Sequence, residues 1–317
     1  MIFALLIFAL GLAFASSLAV GPSRLKWGTP EGDFILYHVR LPRTTLALLI
    51  GGALALSGAS FQALLRNPLA DPHLLGVSAG GALGVVVGSG FLMAGTLTFS
   101  IPVLSLAGSL LAVIVVYRLS LRKGSLSLYT LLLVGVMLNS LFVSSIVFFQ
   151  SLIRSDELMT VLFWLLGNLS FTNYSRILLI LVILSLAATA LLFQARKLNL
   201  LSLGESTAHS LGVSVEETKR FVFFLAALLT GTAVSASGMI GFVGLVVPHL
   251  TRVLFGSDYR TLLPMSAILG GAVLIFSDTL ARVVIAPQEL PVGVITSLLG
   301  APFFIYFLKR REGKRIL

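Results

Sequence analysis

The sequence predicts an all-α integral membrane protein of about ten transmembrane helices, and three observations carry that prediction. Hydrophobic residues make up 57% of the 317 residues, charged residues only 11%, and the mean hydropathy is +1.04, more apolar surface than a soluble core of this size needs. The apolar residues fall in runs of about 20, the length at which a helix rising ~1.5 Å per residue crosses a bilayer core. The runs are rich in Leu and Ala, which favours helices over a barrel of alternating strands. The formal charge of +10 sits at the ends of these runs, where membrane topology accounts for it without nucleic acid. There is no cysteine, so disulfide and thiol chemistry are excluded.

The expected crossings are 2–20, 44–65, 76–92, 100–117, 126–149, 175–194, 219–237, 241–255, 262–281 and 292–308, within one transmembrane domain of approximate halves 1–174 and 175–317. The first run contains Ala13-Phe14-Ala15, which resembles a cleavage site, but no basic residue precedes it, so it reads as a retained helix. With the N-terminus inside, 15 of the 22 Lys and Arg face the cytoplasm, including Lys314 and Arg315, and 7 lie outside, including Arg24 and Arg154. That asymmetry fits the positive-inside rule and places both termini in the cytoplasm.

The second crossing belongs to the most informative stretch, Arg40 to Gly81. Two arginines precede an apolar run dotted with Gly and Ala, which allow close backbone approach between membrane helices. Asn67-Pro68-Leu69-Ala70-Asp71-Pro72 follows, where two prolines force the chain out of the helix at the cytoplasmic end. Adding 180 to its positions matches Gly51 with Gly231, Ser57 with Ser237, Gly58 with Gly238, Pro68 with Pro248 and Gly76 with Gly256. The copies begin at the second and seventh crossings, an odd offset, and so predict an inverted repeat.

The fifth crossing holds Asn139, Ser140 and Ser144, which either bond to neighbouring helices or line a pathway. Gln62 and Asn67 join them as pathway candidates. Between the sixth and seventh crossings, Ala195–Arg220 reads as a short cytoplasmic helix, a break at Gly212 and a new helix. Ser202 with Glu205, and Ser214 with Glu217, have the spacing of capping boxes. The element is either a capped loop or a docking surface for a cytoplasmic partner. In the ninth crossing Asp278 and Arg282 share a helix face, as an internal ion pair or with Arg282 joining Arg40 and Arg43 in a basic outer rim. Glu289 follows, and Pro291 opens the last crossing.

No G-x-x-x-x-G-K-[ST] loop occurs, so ATP is not bound through that motif. The four histidines are far apart in sequence and form no H-E-x-x-H pattern, so no metal or catalytic centre is expected.

The blocks RLPR (from Arg40), SGASFQALLRNPLADPHLLGVSAGG (from Ser57), LGESTAHSLG (from Leu203), GMIGFVGLVVPHLTR (from Gly238) and ELPVGVITSLLGAPFF (from Glu289) resemble the FecCD-type permeases of type II ABC importers. The resemblance runs in order over nearly the whole chain. It implies a permease for an iron-siderophore, haem or cobalamin, paired as a dimer, here expected to be a homodimer. Two separate ATPase subunits would bind ATP and Mg, and a solute-binding protein would dock outside. It assigns Arg40, Arg43, Arg282 and Glu289 to the binding-protein side, with Asp278 in a mixed role. It assigns Gly204, Glu205, Ala208, Leu211 and Gly212 to the coupling helix on the ATPase. An ion-coupled secondary transporter also fits inverted repeats, but it needs an acidic site near the midplane, and Asp278 lies near a helix end. A channel would need a repeated filter segment, which is absent.

Overall fold

A computed structural model describes residues 2–23, 25–91, 97–152, 155–170 and 173–312. Of the basic residues used for topology, Arg24, Arg154, Lys314 and Arg315 lie outside the described residues. The expected crossings appear as α1 (Ile2–Ala19), α3 (Leu41–Leu65), α4 (Val77–Phe91), α5 (Leu97–Ser120), α6 (Leu128–Gln150), α8 (Tyr174–Phe193), α11 (Val215–Ser237), α12 (Val243–Phe255), α13 (Tyr259–Val283) and α14 (Val292–Glu312). Among the described residues, six helical segments are long and apolar enough to cross a membrane on their own, and α1, α4, α12 and α14 contribute shorter apolar stretches.

Four shorter helices fill the connections: α2 (Pro30–Phe34), α7 (Ser155–Leu165), α9 (Ala195–Ser202) and α10 (Glu205–Ser210). The sequence reading foresaw a helix in the α9–α10 region and missed α2 and α7. A π-helical stretch, Ile35–Arg40, fuses α2 to α3 into one continuous helix, Pro30–Leu65. Between α5 and α6 a hairpin pairs β1 (Leu121–Arg122) with β2 (Ser125–Leu126). Lys123 and Gly124 both have positive φ, as the favoured two-residue hairpin turn requires.

The bundle is built around α3, which is buried along most of its length. Glycines set its spacing to two neighbours. A Cβ at Gly51 would stand 2.3 Å from the Gly270 carbonyl oxygen of α13, and one at Gly58 would stand 1.8 Å from that of Gly244 in α12. The backbones therefore touch where a side chain would separate them, the small-residue packing that membrane interiors favour. The packing of α3 against α13 is echoed by α11 against α5, as an inverted arrangement of halves requires. The uniform 180-residue register does not extend through the whole stretch. Pro68 lies in the turn after α3, whereas Pro248 is inside α12, because the link between α11 and α12 (238–242) is shorter than that between α3 and α4 (66–76).

Candidate functional site

Three clusters carry the polar chemistry of the bundle. The first is at the outer end of α3, where α1, α3 and α13 converge. Arg43 donates from Nε to Asp278 at 2.9 Å and from Nη1 to Glu289 at 2.6 Å. Arg282 pairs with the same Asp278, one turn earlier on its own helix, at 3.1 Å. Its Nη2 also donates to the Ser17 hydroxyl at 2.8 Å. Arg40 donates to the carbonyls of Leu18, Ala19 and Ser23, all at or just past the end of α1. Arg40, Arg43 and Arg282 are only 2%, 6% and 3% exposed, and Asp278 is fully enclosed. The expectation of an exposed basic rim is therefore corrected. Residues 17–23 and Glu289 cover the guanidiniums, because a buried cation must find carbonyls or carboxylates in place of water. Both readings of the Asp278–Arg282 spacing meet here, since the internal pair exists and shares its carboxylate with Arg43.

The second cluster is in the interior. Arg66, in the left-handed conformation, ends α3, and Asn67 Oδ1 accepts from the Leu69 backbone to shape the turn. Asp71 then caps the 3-10 turn Pro72–Leu75. Pro72 packs on Gly244, which also meets Leu54 of α3, so the chain after Asp71 climbs back along α3 and does not stay at its end. There His73 Nε2 lies 2.8 Å from the Ile240 carbonyl, in the non-helical link between α11 and α12. The helices following these two breaks have 15 and 13 residues, roughly 22 and 20 Å long, short of the ~30 Å bilayer core. Unwound backbone at such depth is tolerated only where protein encloses it, and Leu75, Gly76 and Ile240 are all buried.

The proposed pathway residues divide across this region. Gln62 is buried and bonds to the Leu245 carbonyl and to Arg252, both on α12. Asn67 serves its own turn. Asn139 is half-buried on α6 beside Gly76, while Ser140 and Ser144 lie exposed on that helix's outward face. The structure brings Gln62 to α12 and leaves the two serines away from it. Sequence reasoning missed His73, whose only signal was an imidazole in a proline-rich turn.

The third cluster is at the opposite end from the arginines. α10 begins after Gly204 at φ +128° and ends at Gly212, φ +83°. Gly212 N–H donates to His209 and Val213 N–H to Ala208, the paired bonds of a glycine-terminated helix. The anticipated capping boxes are corrected. Ser202 bonds back to Asn199, and neither Gly204 nor Ser214, the residues at the two N-caps, supplies a side-chain cap. The anchoring is by charge instead. Lys219, 3% exposed, reaches Glu205 at 3.2 Å, the Leu126 carbonyl at 2.9 Å, and Glu216. Ala208 is buried against the bundle, whereas Leu203 and Leu211, flanking α10, are 67% and 58% exposed. Nearby, Asp258 caps α13 and accepts from the Asn199 amide at 2.7 Å. The Arg260 backbone N–H and then the Asn199 amide hold its carboxyl below the usual carboxylate range.

Broken helices meeting inside a bundle are how many transporters line a route with backbone groups, and this arrangement defines a polytopic transport permease. Direct comparison gives the family. The model of the FecCD transport family matches residues 1–310, and the chain belongs to that family. The chain is 45% identical, over 88% of its length and 79% of the relative's, to the uncharacterised ABC transporter permease protein YvrB of Bacillus subtilis. It is 41% identical to the hemin transport system permease protein HmuU of Yersinia pestis, covering 98% of this chain and 94% of that one. A solved metal-chelate type ABC transporter, in an inward-facing conformation, superposes with a TM-score of 0.89 at 32% identity, over 98% and 99% of the two chains. This chain is thus a membrane permease subunit of an ABC importer and not an enzyme. It works with ATPase subunits, which bind the ATP, and with a solute-binding protein.

Proposed function

We propose that the protein passes an iron-siderophore, haem or cobalamin-type substrate from its binding protein into the cytoplasm by alternating access, as a pair of identical copies served by two ATPase subunits that hold ATP with Mg. Similarity to the hemin permease and to the cobalamin import system permease protein BtuC of Halobacterium salinarum, at 39% identity over 95% of this chain and 81% of that one, supports the substrate class. One permease unit spans 1–317, with halves meeting near 174.

The observation that carries the mechanism is the exposure of Leu203 and Leu211 beside α10. Apolar side chains at the cytoplasmic end do not face lipid, so they fit a protein partner, here the ATPase. Gly204, Glu205, Ala208, Leu211 and Gly212 form the coupling element in this reading. Arg40, Arg43, Arg282 and Glu289 mark the proposed docking side for the binding protein; the arginines are enclosed, so they act by holding this surface in shape and by the surplus of three cations over the two carboxylates Asp278 and Glu289, not by direct contact. Glu289 is the most accessible charged member of the cluster. Gln62, Asn67, Asn139, Ser140 and Ser144 remain the proposed pathway residues, with Ser140 and Ser144 on an exposed face of α6. Their neighbours on that face, among them Met137, Leu141 and Val147, are exposed and apolar, and Ser140 bonds to the Val136 carbonyl of its own helix, so the pathway reading rests on Gln62 and Asn139 more than on the two serines.

The test is competition. In proteoliposomes holding the whole importer, uptake of labelled haem, ferric siderophore or cobalamin should occur with one class and be blocked by its unlabelled form. Transport of none of the three would overturn the substrate class. The ion-coupled reading is disfavoured because Asp278, its acidic candidate, is already held between two guanidiniums.

A further inference from the structure

We infer that Lys219 is the positioning residue that joins the cytoplasmic coupling element to the root of α6, so that displacement of α10 reaches the outward face of that helix. The inference rests on reading α10 as the ATPase contact. Three separate elements end on one ammonium: Glu205 of α10 at 3.2 Å, the Leu126 carbonyl of β2 at 2.9 Å, and Glu216 on the preceding turn of α11. Its side chain is 4% exposed, against 42% for Glu205 and 37% for Glu216. The cation is thus the enclosed centre and the carboxylates its rim. An ammonium has three donor hydrogens and no acceptor capacity, so these three partners saturate it.

The contacts around it close a ring. The Leu126 N–H donates to Glu216 at 2.7 Å, so both backbone groups of Leu126 are held by the Glu216–Lys219 pair. The next residue, Ser127, is the N-cap of α6. Arg220 donates to the Gly124 carbonyl in the hairpin turn. Arg66, the residue that ends α3, stands 4.0 Å from Glu205. Two acids and two bases, Glu205, Glu216, Lys219 and Arg66, therefore tie α10 to α11, to the start of α6 and to the end of α3. A buried charge deprived of one partner is costly, so the groups move together more readily than apart. That property is what a joint between a driven element and a pathway helix needs, because coupling requires one element whose position both sites bias.

The experiment uses the complete importer in proteoliposomes, with its binding protein and ATPase subunits. Lys219→Met keeps most of the stem and removes the ammonium. Its ATP hydrolysis should stay within about twofold of the parent, while substrate transported per ATP hydrolysed falls at least tenfold. Lys219→Arg should restore at least a third of that ratio. Glu205→Gln, at a half-exposed site that does not threaten folding, should lower the ratio three- to tenfold by cutting the same link. The chain has no cysteine, so Ser210→Cys gives a single crosslinking site on α10 toward the ATPase. Crosslinking retained with parental stoichiometry in Lys219→Met, or in Glu205→Gln where the Met variant does not assemble, overturns the role of Lys219 and leaves the coupling element standing. Absence of crosslinking to the ATPase in the complex that carries Ser210→Cys alone overturns the coupling reading itself, and the inference with it.

Discussion

Asp278 shows how one residue decides between readings that the sequence leaves open. Its spacing from Arg282 was legible, as a same-face pair on the ninth crossing. Its second cation, Arg43, was not, because the contact joins residues 235 positions apart and needs α3 and α13 to touch through Gly51 and Gly270. Removing this carboxylate leaves two guanidiniums without their shared counter-charge. Asp278→Asn should therefore cost about 3–5 kcal/mol, read as a fall in unfolding temperature of the purified protein. A shift indistinguishable from zero would mean that the arginines are solvated after all. At Asp258 the sign is that of a depressed carboxylate: its stabilisation of the α9–α13 junction is complete above the ordinary value near 4 and is lost as pH falls through the lower folded value. Amide exchange in α9 should rise below about pH 4 in the parent and be already raised and pH-insensitive in Asp258→Ala; identical profiles would exclude the link.

At the scale of elements, helix existence was readable from apolar run length, and the ten expected crossings match ten helices to within a few residues. Interruptions were harder. The prolines announced that α3 ends, but not that Pro72–Gly76 climbs back to Ile240, since that depends on Gly244 admitting Pro72 against its backbone. The end of α10 was legible at Gly212 because only a residue without Cβ is at ease at φ +83°. Its beginning was misread, since the capping-box spacing is local and the actual anchor, Lys219, comes from the next helix. Two glycine substitutions separate these causes. Gly212→Ala meets open space and carries only the backbone penalty, about 1–2 kcal/mol, confined to α10. Gly58→Ala drives a Cβ into the Gly244 carbonyl and should cost about 1–3 kcal/mol while loosening α3 from α12 globally. Hydrogen exchange read by segment checks both; protection lost across α3 and α12 in the Gly212 variant would contradict the assignment.

For the whole molecule, the family was legible from five sequence blocks, and the structure explains why those blocks stand out. They fall on the outer cluster, the broken interior, the coupling element and the start of α14. The burial of the outer arginines was not legible, because residues 17–23 fold over them and no local pattern announces a cover. Two polar clusters at opposite ends, joined by α3 and by a broken interior, suit a permease that couples external docking to ATP-driven motion below. The most direct measurement of that claim is substrate uptake into proteoliposomes containing the permease, with the ATPase subunits, ATP and loaded binding protein each omitted in turn. Uptake should require all three together and persist when ion gradients are collapsed. Uptake by the permease alone that follows an ion gradient and ignores ATP would contradict it.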